Sequence, residues 1–291
     1  MSLTIYKPKN IRYYDTSGLT LVGQGANGKV YRFDEDKIIK VGIRSQSLDD
    51  ILHEQALARK AFVLGLPTAI PFSVVDTSEG YGSAFELLGS QNLAQYILSG
   101  GDVEKLRSAA VLYSDLLKTI HAAEGSSDWC PDAKSKFVAY LSDIKSILPE
   151  DAYDSAGRIL SSIPDSSHLV HGDLNPRNVM VVDGQLMIID LETLSLGDPV
   201  FDYAALWASC IGFGAISARV DQINGLPEEK RTAFWDLVAG LSGDMTRRIY
   251  TVSPVLGSIR ILRWVLRHDG RPDIVAKARE VLLSHVRTLC D

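Results

Sequence analysis

Residues 171–178 (HGDLNPRN) combine side chains that suit the transfer of a phosphoryl group. Asp173 carries a carboxylate that can accept the proton of an attacking hydroxyl. Asn178 follows on the same segment, and Asp190 supplies a second carboxylate downstream. An amide oxygen and a carboxylate are hard ligands, which Mg²⁺ takes together with water and phosphate oxygens. The set therefore predicts a catalytic base, Asp173, and two metal ligands, Asn178 and Asp190.

The segment between the two predicted metal ligands has the pattern of a β-hairpin. Residues 179–189 contain two apolar runs around Asp183-Gly184, a dipeptide typical of a type I′ turn. Such a hairpin puts Asn178 at the mouth of its first strand and Asp190 at the end of its second. We therefore expect the two side chains to lie side by side. An irregular loop whose Asp and Asn only cap turns is the structural alternative.

A glycine-rich motif occurs early in the chain. Residues 23–30 (GQGANGKV) match G-x-G-x-x-G-x-V, with Gly23, Gly25 and Gly28 at the glycine positions. A dinucleotide-binding fold would need a helix directly after the glycines, but residues 29–33 alternate like a strand. The motif also lacks the Gly-Lys-Ser/Thr of a Walker-type loop. A strand–loop–strand favours backbone N–H groups that fold over nucleotide phosphates, and an ordinary turn is the alternative.

Lys40 lies in a short β-type run, residues 38–41, where an inward-facing lysine needs an acidic partner. Glu54, on the helix that follows, is the expected partner. Such a pair points the ammonium at the α- and β-phosphates of a nucleotide. Asp50, one turn earlier on the helix, competes for this role. A surface lysine and a solvated Glu54 would be the arrangement without function.

The last run of the first ninety residues is placed to contact an adenine base. Residues 85–89 (FELLG) close this part of the chain, so backbone groups at Glu86 and Leu88 are candidates to hydrogen-bond the adenine edge. The side chains expected to sandwich the ring from its two faces are Val30, Ile38 and Met180. Each of these apolar side chains would also serve as ordinary core.

The elements around these residues change character after Gly89. The first part has short β-type runs broken by turn residues, and one helix from an N-cap at Ser47 to about Leu64. The rest is mainly helical by periodicity, over residues 102–121, 132–148, 151–162 and most of 199–288. The pattern predicts an α+β fold. A small antiparallel β-sheet lobe, residues 1–89, binds the nucleotide, and a mainly helical lobe, residues 90–291, carries the catalytic loop and an acceptor pocket.

Composition excludes several classes of protein. The formal net charge of −6 argues against nucleic acid as a partner. Three widely spaced cysteines form neither a disulfide framework nor a zinc pattern, and residues 1–10 lack the apolar core of a signal peptide. The longest uncharged stretch, residues 203–218, is short for a membrane span and is predicted to be a buried helix. We therefore expect a cytoplasmic protein, a monomer or homodimer, that does not associate with membranes.

The ordered set of motifs resembles the aminoglycoside phosphotransferase and choline kinase-like family, relatives of the eukaryotic protein kinases. The resemblance implies a two-lobed protein-kinase-like fold that binds ATP and Mg²⁺. It makes Asp173 the catalytic base, Asn178 and Asp190 the Mg²⁺ ligands, and Lys40 the phosphate-binding lysine. Glu192 either reaches a second Mg²⁺ or accepts a hydrogen bond nearby. The residues that carry the resemblance lie between about 18 and 210: the glycine motif, Lys40, Glu54, 171–178, 189–192 (IDLE) and 197–202 (GDPVFD).

Three of these residues are expected to support the chemistry without taking part in it. His171 orients the catalytic loop rather than carrying a proton. Asp198, followed by Pro199, begins a helix. Asp202, one turn into that helix, braces the loop.

Two features favour a small-molecule hydroxyl as the acceptor. Asp-Leu-Glu at residues 190–192 replaces the Asp-Phe-Gly of protein kinases, and the short segment before Asp198 leaves no room for a peptide-docking activation segment. From residue 203 onward, bases exceed acids, which disfavours a polycationic aminoglycoside. A sugar, an amino alcohol or another hydroxylated metabolite stays open.

A helical face near the C-terminus carries Arg260, Arg263 and Arg267, with Trp264 beside them. This face is either solvated or in contact with an anionic group such as a phosphate or carboxylate.

Two functions compete with small-molecule phosphorylation. One is a non-catalytic nucleotide-binding module of the pseudokinase type, and the other is a protein kinase.

Overall fold

The structure, a computed structural model, describes residues 10–25, 28–42, 46–89, 91–100, 103–216 and 225–290. Several sequence features lie outside these ranges. They are residues 1–9, Ala26 and Asn27 of the glycine motif, the first residue of the predicted helix 102–121, and the end of the apolar stretch 203–218. The chain forms two compact units, Met1–Gln91 with Met180–Glu192, and Asn92–Val179 with Thr193–Asp291.

The strands belong to three small groups. A six-stranded sheet in the first unit has the order β1-β5-β6-β4-β3-β2. Its strands are β1 (Arg12–Tyr14), β2 (Thr20–Gln24), β3 (Gly28–Arg32), β4 (Lys37–Gly42), β5 (Pro71–Thr77) and β6 (Gly80–Glu86). The remaining strands are β7 (Gln91–Asn92), β8 (Leu169–Val170), β9 (Val179–Val182), β10 (Gln185–Ile188) and β11 (Ser195–Leu196).

The predicted antiparallel sheet is confirmed for β2 to β6, where each neighbouring pair is antiparallel. Strand β1 differs because it pairs in parallel with β5, from Arg12 opposite Val75 to Tyr14 opposite Thr77. The sheet is therefore mixed. Three residues are too few to carry an alternation signal, so the sequence analysis did not detect β1.

Helices occur in both units, and most of them lie in the second. In chain order they are α1 (Leu48–Val63), α2 (Leu93–Leu98), α3 (Val103–Ala122), α4 (Ala133–Asp143), α5 (Glu150–Ser161), α6 (Val200–Trp207), α7 (Phe213–Ile216), α8 (Glu228–Gly240), α9 (Thr246–His268) and α10 (Pro272–Cys290). Of the helices in the described residues, α1 is the one that lies in the first unit. A π-helical turn, Ala208–Gly212, joins α6 to α7. Short 3₁₀ turns occupy Thr16–Gly18, Lys145–Ile147, Leu191–Thr193 and Gly243–Met245.

The two faces of the six-stranded sheet have different roles. One face is apolar, and its buried cluster consists of Tyr31, Ile39, Val41, Val75 and Ala84. Because side chains alternate along a strand, Lys40 projects from the other face, opposite Val30 on β3 and Ser83 on β6. Helix α1 covers part of that face, where Ile51 and Leu52 pack against Val74. Its N-terminus has the predicted Ser47 cap, completed by Asp50 as a capping box.

The β9–β10 hairpin has the predicted turn. Asp183 and Gly184 both adopt positive φ, 49° and 79°, as a type I′ turn requires. The Ile188 N–H donates to the Pro67 carbonyl at 2.7 Å, and the Thr68 hydroxyl donates to the Ile188 carbonyl at 2.9 Å. These bonds attach the hairpin to the first unit, although the sequence analysis placed the segment in the helical lobe that begins at residue 90.

The core of the second unit includes aromatic contacts between helices among mostly aliphatic side chains. Tyr113 on α3 meets Phe234 on α8 edge-on, with ring centroids 5.3 Å apart. Phe137 on α4 packs against Phe201 on α6 at 5.0 Å. Every residue of α6 is buried. The predicted buried helix over 203–218 is confirmed as buried from Tyr203 to Cys210, but a π-helical turn interrupts it, and Gly214 and Ala215 are exposed. Among the described residues, one helical stretch, Gly243–His268, is long and apolar enough to cross a membrane, but 61% of its window is buried inside the protein.

Replacing Gly184 with Ala tests the hairpin turn. A Cβ there meets no atom within 4 Å, so the only cost is the positive φ of 79°, about 1 kcal/mol for an L-residue. We expect the melting temperature to fall by about 2–4 °C, measured by differential scanning calorimetry. Gly157→Ala, inside α5, is the control and should raise it, because Ala is the better helix former. An unchanged melting temperature for Gly184→Ala would contradict the turn assignment.

Candidate active site

The side chain of Asp173 is held at both oxygens. Its Oδ1 accepts a hydrogen bond from Arg260 Nη2 at 2.6 Å, and its Oδ2 accepts one from Asn178 Nδ2 at 3.2 Å. Arg260 also donates through Nη1 to the Gly172 carbonyl. The side chain of Asp173 is 36% exposed. The carboxylate is thus fixed in orientation and still accessible from solvent.

Asn178 is oriented by its amide nitrogen. Nδ2 donates to the main-chain carbonyl of Asp173 at 3.0 Å as well as to its carboxylate. A carboxamide has separate donor and acceptor ends, so this arrangement turns the Oδ1 atom away from Asp173. An oxygen held in this way suits a hard metal ion, and the role of Asn178 as a metal ligand stays a prediction.

Asp202 braces the loop at residues 171–178, as expected from the sequence. Its carboxylate is fully buried and accepts the N–H groups of His171 at 3.0 Å and Gly172 at 2.7 Å. His121 Nε2, on α3, lies 2.9 Å from the same carboxylate. Burial raises the pKa of Asp202, but the hydrogen bonds and positive charge around it outweigh burial and hold the pKa below its ordinary value. The carboxylate therefore stays ionised.

Further bonds fix the loop from other sides. Buried His171 accepts the Asp173 N–H at Nδ1, 3.2 Å, which fits the expected orienting role. Gly172 has φ of 81°, and a Cβ there would lie 2.8 Å from the Thr193 carbonyl oxygen, so only glycine fits. The Tyr113 hydroxyl donates to the Leu174 carbonyl at 2.5 Å. The backbone around Asp173 is thus determined by its packing.

Lys40 in the first unit lies between two carboxylates. Its Nζ atom is 2.6 Å from Glu54 Oε1 and 2.7 Å from Asp190 Oδ1. Asp50 instead caps α1, so Glu54 is the helix partner. Burial lowers the pKa of Lys40, but the charges of Asp190 and Glu54 outweigh it and raise the pKa above the ordinary value. The contact with Glu54 was predicted from the sequence, and the contact with Asp190 was not.

Asp190 has an unusual backbone conformation. Its φ is 66°, in the left-handed region that non-glycine residues rarely occupy. Such strain concentrates at functional sites, because the surrounding structure must hold it in place. Asp190, Glu54 and Lys40 together carry one net negative charge. A divalent cation at the Asp190 carboxylate would compensate that charge, so this cluster fits the predicted metal.

The described glycines of the glycine motif have different reasons to be glycine. A Cβ at Gly28 would overlap the Val41 carbonyl oxygen, so the β3–β4 pairing itself excludes any side chain. Gly23 has ordinary contact distances to Val30. A Cβ at Gly25 meets nothing within 4 Å, although the Gly25 N–H donates to the Gly28 carbonyl at 2.9 Å. Packing therefore requires Gly28 but does not explain Gly25.

The predicted adenine contacts lie in the same unit. Val30 and Ile38 are half-buried on the Lys40 face of the sheet, and Met180 is half-buried at the start of the hairpin. The Glu86 N–H donates to the Ile70 carbonyl, and the Glu86 carboxylate accepts a hydrogen bond from the Ile70 N–H. Leu88 is buried.

The arginine face of α9 contacts carboxylates of the protein itself. Arg263 Nε and Arg267 Nη2 both bond Asp143 Oδ2, at 2.7 and 2.8 Å. Arg260 bonds Asp173. Trp264 packs edge-on against Phe213. Of the two alternatives left open by the sequence, contact with anionic groups is therefore correct, and the anions are aspartates far away in sequence.

The helix after the loop begins one residue later than predicted. Pro199 occupies the cap position, and the Asp198 carboxylate accepts the Val200 N–H at 2.9 Å. Asp198 also pairs with Arg248.

Within the described ranges, no cluster of three or more His, Cys, Asp or Glu side chains is placed to hold a metal. The predicted metal ligands Asn178 and Asp190 belong to different compact units.

Comparison with known proteins places this arrangement in context. The sequence model of the phosphotransferase enzyme family (APH) matches residues 18–235. No curated protein sequence matches the chain significantly.

Solved structures share the fold at low sequence identity. Aminoglycoside phosphotransferase APH(2'')-Ib with bound ADP is 18% identical, with a TM-score of 0.62 over 92% of this chain and 93% of that one. The streptomycin–ATP–APH(2'')-IIa ternary complex is 17% identical, with a TM-score of 0.60 over 92% of each chain. A choline/ethanolamine kinase family protein from Mesorhizobium loti is 15% identical, with a TM-score of 0.61 over 94% of this chain and 88% of that one. The predicted kinase-like fold is confirmed.

Replacing Asp202 with Asn tests the brace. The amide has only one acceptor end, so at least one of the three donors around Asp202 loses its partner, which costs about 1–3 kcal/mol. We expect a lower melting temperature at neutral pH. Because the pKa of Asp202 is lowered by folding, its contribution is present above its ordinary value of 3.8 and disappears as pH falls through the folded pKa.

The difference in stability between wild type and Asp202→Asn should therefore shrink below about pH 4. Chemical denaturation between pH 3 and 7 measures it. Asp115→Asn is the control, because Asp115 forms only an exposed pair with Lys118. An equal loss of stability at both ends of the pH range would contradict the ionised brace.

Proposed function

Because the chain belongs to the phosphotransferase enzyme family, a class of small-molecule kinases, we propose that it moves the γ-phosphate of ATP to a hydroxyl of a small molecule. The observation that carries this proposal is the Asp173 carboxylate, fixed at both oxygens and exposed to solvent. One of its oxygens accepts the proton of the acceptor hydroxyl. The acceptor oxygen forms a bond to the γ-phosphorus, the bond from that phosphorus to the β-phosphate oxygen breaks, and ADP leaves.

The first unit supplies the groups that would bind the nucleotide. The ammonium of Lys40 has three donors, and Glu54 and Asp190 use two of them. The third donor is left for a phosphate oxygen. The open space at Gly25 allows a close approach of phosphate to the backbone. The Glu86 N–H already donates to the Ile70 carbonyl and the Leu87 N–H to the Asp36 carbonyl, so the proposed donor to the adenine edge is the Leu88 N–H.

Asn178 and Asp190 would hold Mg²⁺, which supplies charge neutralisation on the phosphates. Both offer hard oxygens, and the net negative charge of the Lys40–Glu54–Asp190 cluster suits a cation. Asp190 is held by Lys40 and by its own constrained backbone. Asn178 is held by Asp173. The protein's own contribution is thus to fix these oxygens before the nucleotide binds.

The residues present and the length of the segment after Asp190 disfavour the competing functions. A pseudokinase usually lacks at least one of Lys40, Asp173, Asn178 and Asp190, and all four are present. A protein kinase needs a docking segment after Asp190, and residues 191–197 are too short for one. Solved structures with the same fold hold aminoglycosides and nucleotides. ATP as the nucleotide, a cytoplasmic location and a monomer or homodimer remain predictions.

The test measures ADP release and product phosphorylation with Mg²⁺-ATP, and separately with Mg²⁺-GTP. The acceptor panel contains sugars, amino alcohols, hydroxy acids and aminoglycosides. Asp173→Asn keeps the size of the side chain but removes the base, and general-base catalysis contributes about 10²–10⁴-fold. We expect kcat to fall by that factor while the Kd for nucleotide stays within about twofold of wild type.

Asp183→Asn, at the exposed hairpin turn, is the control and should keep wild-type kcat. Full activity of Asp173→Asn would contradict the assigned base. Nucleotide binding without transfer to any acceptor would favour the pseudokinase alternative.

A pair of glycine variants tests the nucleotide side. Gly25→Ala adds a methyl group where no described atom lies within 4 Å, so we expect an unchanged melting temperature and a raised KM for ATP. Gly28→Ala forces a methyl group into the Val41 carbonyl, so we expect a lower melting temperature. Steady-state kinetics and thermal unfolding measure the two effects. If Gly25→Ala leaves KM unchanged, the glycine motif does not contact phosphate.

A further inference from the structure

Arg260 differs from the other two arginines on its helix face. Arg263 and Arg267 both bond Asp143. Arg260 alone of the three reaches the catalytic loop, where Nη2 lies 2.6 Å from Asp173 Oδ1 and Nη1 donates to the Gly172 carbonyl. A guanidinium therefore lies directly against the proposed base.

Most of the hydrogen-bonding capacity of this guanidinium is still unused. An arginine has five N–H donors in one rigid plane. The structure shows two of them bonded to the loop, and Asp173 is the only carboxylate paired with Arg260 within the described ranges. The side chain is 26% exposed. A ligand that approaches Asp173 from solvent thus finds a cation with donors beside the base.

The position of Arg260 restricts what can surround the reacting hydroxyl. A hydroxyl that gives its proton to Asp173 must come within about 3 Å of a carboxylate oxygen. Because Arg260 is 2.6 Å from one of those oxygens, the next substituent on the acceptor lies close to the guanidinium. An oxyanion there gains charge-assisted, often bidentate hydrogen bonds. An ammonium there meets a like charge.

Nearby acidic side chains do not offset this preference. Asp202 is buried and is used by His121 and two loop N–H groups. Asp198 is paired with Arg248. Neither carboxylate is available to neutralise a cationic acceptor at the loop.

We propose that Arg260 is the acceptor-recognition residue, and that the acceptor carries an anionic group, a carboxylate or a phosphate, beside the reacting hydroxyl. The proposal rests on the proposed function, because it takes Asp173 as the group that receives the hydroxyl. Carboxylate and phosphate share the oxygen geometry that a guanidinium binds. Arg260 determines specificity, and Asp173 receives the proton.

The test uses four probes that share a vicinal diol on a three-carbon chain and differ in the group at the third carbon, and so in charge. Glycerate carries a carboxylate, glycerol 3-phosphate a phosphate, glycerol no charge, and 3-aminopropane-1,2-diol an ammonium. Isothermal titration calorimetry measures the binding of each to the full-length protein with Mg²⁺-ADP present. We expect at least one anionic probe to bind tenfold or more tightly than glycerol, and the ammonium probe to bind most weakly. The two anionic arms distinguish a hydroxy acid from a phosphorylated alcohol.

Variants assign the preference to one residue. Arg260→Gln should bind the four probes alike, and Arg260→Lys should retain part of the preference, because it keeps the charge but not the planar fork. Arg263→Gln is the matched control on the same face, where the lost partner is Asp143, and it should keep the wild-type pattern. Circular dichroism and thermal unfolding establish that each variant is folded.

Equal binding of the four probes to wild type, including no binding by any of them, would overturn the proposal. A preference for the ammonium probe would do the same, as would a preference for anions that survives in Arg260→Gln. These outcomes differ from a failure of the proposed function. Phosphoryl transfer to neutral alcohols alone would keep that function and remove the inference, whereas Arg260-dependent anion binding without transfer to any acceptor would contradict only the function.

Discussion

The geometry of the loop at residues 171–178 depends on one fully buried carboxylate, that of Asp202. A buried charge costs several kcal/mol unless it is compensated, and here His121 and the N–H groups of His171 and Gly172 compensate it. Because these donors come from α3 and from the loop, while Asp202 lies on α6, a single group ties three segments together. Asp173 follows directly after two of the bonded residues, so its position is set by this brace.

In both units, a charged side chain of the proposed site is held by polar or oppositely charged partners from the same unit. In the second unit, Arg260 and Asn178 fix the two oxygens of Asp173. In the first unit, Glu54 and Asp190 fix the ammonium of Lys40. Charged groups that are already oriented need little reorganisation when a reaction develops new charge. In each unit, the groups that the proposed reaction would use are therefore oriented by their side-chain partners.

Local signals in the sequence were sufficient for most of the fold. Ser47 with Asp50 forms the predicted helix cap, and Asp183-Gly184 forms the predicted type I′ turn. In both cases the information lies within four residues, so no other part of the chain is needed to interpret it. The parallel strand β1 was missed because a three-residue strand has no detectable period, and its partner β5 lies some sixty residues away.

The sequence alone determined which residue types are available for chemistry, their order and the elements that carry them, and it favoured Glu54 over Asp50 as the partner of Lys40. Only the tertiary structure decided that Asp190 joins that pair and that Arg260 contacts Asp173, 87 residues away. The physical reason is that caps, turns and strand alternation are encoded by neighbouring residues. A salt bridge between residues far apart in the chain has no sequence spacing of its own, because any carboxylate that packing brings within reach can satisfy a guanidinium or an ammonium.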